Sequence, residues 1–164
     1  MDAITIKIVS TPADAANLDD LLWRILWQPL SLPRNVRQSF RIGGGEQLEL
    51  VAKANGRIVG GLVAFWTSDF EVELRHLAVS DDAQNQGTGR RLVTALFQLV
   101  ASKGCCRIHT TARSTSARFF RELGFRPAPG AAPQHPTFKK HGIVFELMDR
   151  IVEPAGSGDA LQRA

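Results

Sequence analysis

Gln84-Asn85-Gln86-Gly87-Thr88-Gly89-Arg90-Arg91 joins a strand-like apolar run to an amphipathic, helix-like run. On the strand side stand Val72, Leu74, Leu77, Ala78 and Val79; on the helix side Leu92, Val93, Leu96, Leu99 and Val100 recur at helical spacing. Glycines at the junction let the backbone approach a ligand with no side chain in the way. The N–H groups of a helix's first turn lack intrahelical acceptors and lie at the positive end of the helix dipole, which suits a pyrophosphate. The stretch thus predicts a strand, an anion-binding turn and a helix in that order.

Upstream of it, Leu48 to Ala54 and Ile58 to Trp66 are two apolar runs joined around Asn55-Gly56, a strong hairpin signal. Phe70 to Val79 is predicted to pair with them as a third strand. Its apolar residues change parity: Phe70, Val72 and Leu74 share one face, whereas Leu77 and Val79 fall on the other. An extra residue near Arg75-His76 would repair the phase as a β-bulge; a strand buried on both faces needs no repair. Closer to the start, Ile4 to Val9 alternates as a strand, and Thr11-Pro12-Ala13-Asp14 supplies a cap, a proline at the first helical position and an early acid. The helix that follows carries Leu18, Leu21, Leu22, Ile25 and Leu26 on one face and stops by Pro29 or Pro33. Gly43-Gly44-Gly45 lacks the lysine and hydroxyl residue of a Walker-type loop and reads as a connector.

Downstream, the helix closes at Lys103-Gly104, and Cys106 to Thr111 is the next strand. Ser114 or Thr115 caps a short helix with Phe119, Phe120 and Leu123, closed by Gly124. A breaker-rich loop runs from Pro127 to Pro136, Ile143 to Met148 is a final strand, and Pro154 to Ala164 is expected to fray. A hairpin run followed by strands alternating with helices implies a mixed sheet covered by helices, an α/β or α+β arrangement. We expect one domain over residues 1–150 and a tail over 151–164.

A chain of 164 residues, 44% hydrophobic and 22% charged, supports one ordinary core. No signal peptide and no apolar run of membrane-spanning length are present, so a cytoplasmic protein without a membrane partner is expected. The only cysteines, Cys105 and Cys106, are adjacent and offer neither a disulfide framework nor metal-ligand spacing; they read as two reduced thiols entering a buried strand. A net charge of +4 without a basic stripe interleaved with aromatics argues against a nucleic-acid partner. The glycine loop also fails as a dinucleotide fingerprint, since Leu92 stands where a third glycine is needed and no acid follows about twenty residues on.

Two motifs resemble those of the GNAT superfamily of acyl-CoA-dependent N-acetyltransferases. Gln84 to Gly89 is similar to its Gln/Arg-x-x-Gly-x-Gly/Ala loop at every specified position. Arg113-Ser114-Thr115-Ser116-Ala117-Arg118-Phe119-Phe120-Arg121-Glu122-Leu123-Gly124-Phe125 resembles its Asn-x-x-Ala-x-x-Phe-Tyr-x-x-x-Gly-Phe segment. The likeness covers residues 70 to 126, and the remainder by element order. It implies a mostly antiparallel sheet of about six or seven strands flanked by helices, acetyl-CoA as cosubstrate without a metal, an amine acceptor and, by analogy, a homodimer. It also implies that the backbone amides of Gln86, Gly87, Thr88, Gly89 and Arg90 hold the CoA pyrophosphate, that Gln84 braces the loop, and that Leu77 and Val79 offer backbone to the pantetheine arm.

Acetyl transfer to an amine needs a neutral nucleophile, so an alkylammonium of pKa about 10 must first lose a proton. By resemblance Glu73 is the first candidate base, followed by Glu71 and His76; a solvent-facing Glu73 on an amphipathic strand is the competing reading. The chain has no tyrosine, and Phe120 occupies the position where the family carries the tyrosine that protonates the leaving thiolate. A thiol of pKa about 8.5 can leave as thiolate, or take a proton from water or Ser116. Arg113 replaces the usual asparagine and either contacts CoA or is exposed. Direct transfer in a ternary complex is therefore expected, with Cys105 and Cys106 outside the chemistry. Phe120 motivates the alternatives of a CoA-binding regulatory or pseudo-enzyme module and, less well supported, a toxin acting on charged tRNA. The segments that would shape the acceptor site are Ile25 to Gly45 and Pro127 to Lys140, with Trp23, Trp27, His135, Phe138 and His141 as lining candidates.

Overall fold

A computed structural model describes residues 3–39 and 45–153. Most of the Gly43-Gly44-Gly45 connector, and the tail from Pro154, lie outside the described residues. Seven strands, β1 (Ile4–Ile8), β2 (Gln47–Ala54), β3 (Arg57–Trp66), β4 (Glu71–Val79), β5 (Arg107–Arg113), β6 (Arg126–Pro127) and β7 (Phe145–Ile151), form one sheet in the order β1-β2-β3-β4-β5-β7-β6. The fold is a single α/β domain whose sheet is mostly antiparallel; β4 and β5 pair in parallel. Helices α1 (Pro12–Leu22), α2 (Val36–Ser39), α3 (Thr88–Ala101), α4 (Ala117–Glu122) and α5 (Pro136–Lys140) flank it. Tertiary contacts divide the chain into two compact units, residues 1–65 with 75–97, and residues 66–74 with 98–164.

In the first unit, Thr11 Oγ1 accepts from the Asp14 N–H at 3.1 Å and Pro12 opens α1, as its cap pattern predicts. Leu18, Leu21 and Leu22 are buried, but Trp23–Trp27 then adopts a π-helical turn. That wider turn rotates the apolar stripe, so Trp27 is buried while Ile25 and Leu26 are partly exposed. The β2–β3 hairpin turns at Asn55 and Gly56 with φ of 51° and 74°, the doubly left-handed geometry of a type I′ turn. Its register shifts at Ala52/Lys53, where Ala52 pairs with Gly60 and Lys53 with Ile58. A bulge is thus recorded in this hairpin. In β4 the buried positions are Val72, Leu74 and Ala78, with Leu77 and Val79 partly exposed, a pattern that does not itself call for the extra residue anticipated at Arg75-His76.

Gly60 and Gly61 lie in the middle of β3. A Cβ on Gly60 would meet Leu92 Cδ1 and Thr88 Cγ2, each at 3.1 Å, and one on Gly61 would overlap Leu18 of α1. The two glycines therefore let α3 and α1 pack directly on β3.

In the second unit, Glu71–Leu74 pairs with Arg107–Thr110, and β5 pairs with β7 from Arg107–Ile151 to Arg113–Phe145. Thr110 is buried and its hydroxyl donates to Leu74 O at 2.8 Å, which locks the parallel register. Phe70 precedes the strand and is 61% exposed. The final strand lies two residues later than its apolar pattern suggests: Val144 is exposed, and order continues past Ile151 to Val152, which is buried and donates to Cys106 O at 2.8 Å. Inside the loop read as breakers, His135 caps α5 and Pro136 starts it; this cap-then-proline signal is legible in the sequence but is obscured by the surrounding prolines.

Candidate functional site

The glycine loop belongs to the first unit, and three of its polar side chains bond back to nearby backbone. Gln84 Nε2 donates to Val79 O at 2.9 Å, Gln86 Nε2 to Asp82 O at 3.3 Å, and Thr88 Oγ1, itself buried, to Ala83 O at 3.3 Å. Asn85 and Gly87 take left-handed backbone conformations, φ 61° and 79°, which reverse the chain between these anchors. Each amide or hydroxyl folds back on the turn, so the loop is braced from within. The turn before it is pinned as well: Ser80 Oγ donates to Asp82 Oδ1 at 2.7 Å and Arg57 lies 3.0 Å from Asp82 Oδ2. The Ser80 hydroxyl, with Arg57 assisting, holds the Asp82 carboxyl below the usual carboxylate range.

The first backbone bond into α3 is Arg91 N–H to Gly87 O at 3.0 Å. The N–H groups of Gly87, Thr88, Gly89 and Arg90 precede it, and the first turn of a helix leaves such groups outside the ladder. They are the donors an anion would take, and the exposed Arg90 and Arg91 add positive charge at the same helix end. Leu92, Val93, Leu96 and Val100 are fully buried, each contributing roughly 1.5–3 kcal/mol, so this end of the helix is held rigidly. Of the remaining candidates in this unit, His76 is half-buried and meets Trp27 edge-on at 5.0 Å. Trp27 is core rather than lining, and Trp23 donates through Nε1 to Leu32 O at 3.1 Å beneath Arg34.

The second unit presents a polar sheet face. Arg107 bonds Glu71 at 3.3 Å and Asp149 at 3.0 Å, which places these three side chains on one face. Glu73 and His109 lie two residues further along their strands and are register partners, so alternation puts them on that face too. His109 Nε2 is 3.2 Å from Thr67 Oγ1. Burial pushes the His109 imidazole below its ordinary pKa, with Glu73 opposing. Nothing in the local sequence around His109 marks it; only a paired-strand register reveals it.

Arg113, at the end of β5, is half-buried with its guanidinium 6.0 Å from the Phe138 ring, and burial lowers its pKa. Phe120 is buried edge-on against Phe119 and Phe125, each at 5.2 Å. Phe138 is buried against Phe145, His135 caps α5, and His141 is exposed. The two cysteines part company: Cys105 is buried, and burial raises its thiol pKa, whereas Cys106 is exposed. Both precede β5, which starts at Arg107, so of the two thiols read as entering a buried strand only Cys105 is buried.

Similar folds occur in the ribosomal-protein-S18-alanine N-acetyltransferase of Escherichia coli, at 22% identity over 94% of this chain and 97% of that one, TM-score 0.74. An aminoglycoside 6'-N-acetyltransferase complexed with coenzyme A matches at 19% identity over 93% and 99%, TM-score 0.73. A GNAT family acetyltransferase of Elizabethkingia anophelis with acetyl-CoA bound matches at 19% identity over the same shares, TM-score 0.64. The family model described as acetyltransferase (GNAT) domain matches residues 46–127, half of the chain and the whole stretch from the hairpin through β4, the glycine loop and α4. The chain belongs to the GNAT acetyltransferase family and is an acyltransferase.

Proposed function

We propose that the protein transfers an acetyl group from acetyl-CoA to a primary amine by direct attack in a ternary complex. The observation that carries this is the inward-braced loop of Gln84, Gln86 and Thr88, which leaves the amides at the start of α3 to an anion. A pyrophosphate matches that donor set in charge and in its many acceptor oxygens. The amides of Gln86 to Arg90 hold it, and the backbone of Leu77 and Val79 supports the pantetheine arm. Arg113 and Phe120 are assigned to the cofactor side.

Glu73 takes a proton from the acceptor ammonium, directly or through water. The neutral nitrogen attacks the thioester carbonyl, the C–S bond breaks as CoA leaves as a thiolate, and the nitrogen gives up its second proton to water, from which the thiolate is protonated. Phe120 has no proton to give, and a thiol pKa of about 8.5 lets the thiolate depart near neutral pH and take its proton from water. His76, packed on Trp27, is a secondary candidate base.

Phe120 also favours a second reading, a CoA-binding module without turnover. Incubation with acetyl-CoA and a panel of amines, following thiol release, separates the two. Acceptor-dependent release supports the enzyme; tight CoA binding with no release for any amine supports the module. No CoA binding at all would overturn both.

A further inference from the structure

Thr67 anchors the ring of His109 through Nε2. The Thr67 hydroxyl lies 3.3 Å from Glu71 O and 3.2 Å from His109 Nε2, and in donating its single proton to the carbonyl it accepts from the ring nitrogen. In that arrangement the neutral imidazole carries its proton on Nε2. The charged groups around this ring come from every strand packed beside it. Glu73 and Glu71 lie on β4, Arg107 on β5, Asp149 on β7, and Arg126 of β6 reaches Asp149 at 3.8 Å. His109 has a carboxylate opposite it on each neighbouring strand, Glu73 on β4 and Asp149 on β7, and Asp149 is already paired with Arg107. Glu73 is also the strongest charge influence on the imidazole.

We propose that His109 is a positioning residue for Glu73: anchored on Thr67 and neutral, it lets the carboxylate take the amine proton, and when it becomes an imidazolium it pairs with Glu73 and switches the site off. The proposal rests on Glu73 acting as the base. An imidazolium beside Glu73 would weaken its basicity and repel an incoming ammonium, so both effects act in the same direction. Half-burial of the ring favours the neutral form and keeps the switch in the acid range.

The test combines an NMR titration of the His109 ring in the full chain with pH–rate profiles, His109→Gln identifying the resonance among the four histidines. In Glu73→Gln the His109 midpoint should fall further, because a carboxylate that favours the imidazolium is gone. In His109→Gln, which keeps an N–H for Thr67 but cannot ionise, the acid limb of kcat/KM should move from the imidazole range toward about 4, where carboxylates titrate. Thr67→Ser should keep the wild-type profile and Thr67→Val should not, which tests the anchor without touching the histidine. An unmoved His109 midpoint in a Glu73→Gln protein that has lost turnover overturns the proposal alone. So does a His109→Gln rate reduced equally at every pH. Wild-type turnover in Glu73→Gln overturns the base assignment and the proposal with it.

Discussion

Gly60 on β3 and Thr88 at the start of α3 stand so close that a Cβ on the glycine would lie 3.1 Å from the threonine methyl. The glycine is thus a seat for the helix end that carries the amides proposed to hold the anion, and the seat and the loop come from segments far apart in the chain. Alanine at position 60 needs a shift of only a few tenths of an ångström from Leu92 Cδ1 and Thr88 Cγ2. A larger residue must push α3 away. Gly60→Ala is expected to be near neutral, and Gly60→Val to cost about 1–3 kcal/mol in urea denaturation. The same Gly60→Val protein should bind CoA more weakly in a calorimetric titration; unchanged affinity would mean the seat does not position the loop.

Gly87 and Gly104 form a matched pair. Both have positive φ, 79° and 88°, and a methyl group added at either would meet no atom within 4 Å, so alanine at either site is strained by backbone conformation alone. Each substitution should cost about 1–2 kcal/mol. Only Gly87→Ala should raise KM for acetyl-CoA, because only that strain is stored in the loop. Equal KM effects would argue that a general loss of stability is responsible.

Glu73→Gln is expected to lower kcat by about 10²–10⁴ and leave KM for acetyl-CoA nearly unchanged, since general base catalysis acts in the transition state. The defect should shrink at alkaline pH, as more of the amine is already neutral. Steady-state kinetics across pH checks this, and a pH-independent defect would point to a binding role instead.

Cys106 is exposed and should react with iodoacetamide in the native protein. Cys105, buried and with its thiol pKa raised by burial, should react only on unfolding. Cys106→Ser should retain full turnover. Cys105→Ala should cost about 1 kcal/mol through lost packing and also retain turnover. Abolished turnover with intact CoA binding in the double variant would require a covalent mechanism.

Stability should rise with pH through the window that ends near 6.5. Burial holds His109 below its ordinary pKa, so the unfolded chain binds that proton more readily than the folded one. Protonation below the window therefore favours unfolding, and the contribution vanishes above the unfolded-state value. Urea midpoints measured from pH 5 to 8 should show this slope, and His109→Gln should flatten it. Asp82 acts in a separate, more acidic window: its lowered pKa contributes above the carboxylate range and is lost as pH falls through it.

Some features needed only near neighbours in sequence. The cap at Thr11-Pro12, the left-handed turn at Asn55-Gly56 and the strand, glycine turn and helix around Gln84 to Arg91 were legible because capping, φ preference and apolar periodicity act over a few residues. Where those local rules met an irregularity, they misplaced a side chain. The π-helical turn buried Trp27 in place of Ile25 and Leu26, and the alternation of β4 extended a core face to Phe70 that the fold leaves exposed.

The sequence by itself determined the strand order's local units, the hairpin and the glycine turn, because each is set by torsions and contacts within one segment. Tertiary structure alone decided the face on which Glu73 stands and the company it keeps. Thr67 and His109 are separated by 42 positions and meet only because β4 and β5 run parallel in one particular register, a choice made by long-range burial of Val72, Leu74, Ile108 and Thr110. A shift of that register by a single residue would turn His109 to the opposite face, and no property of the residues flanking it records which register was taken.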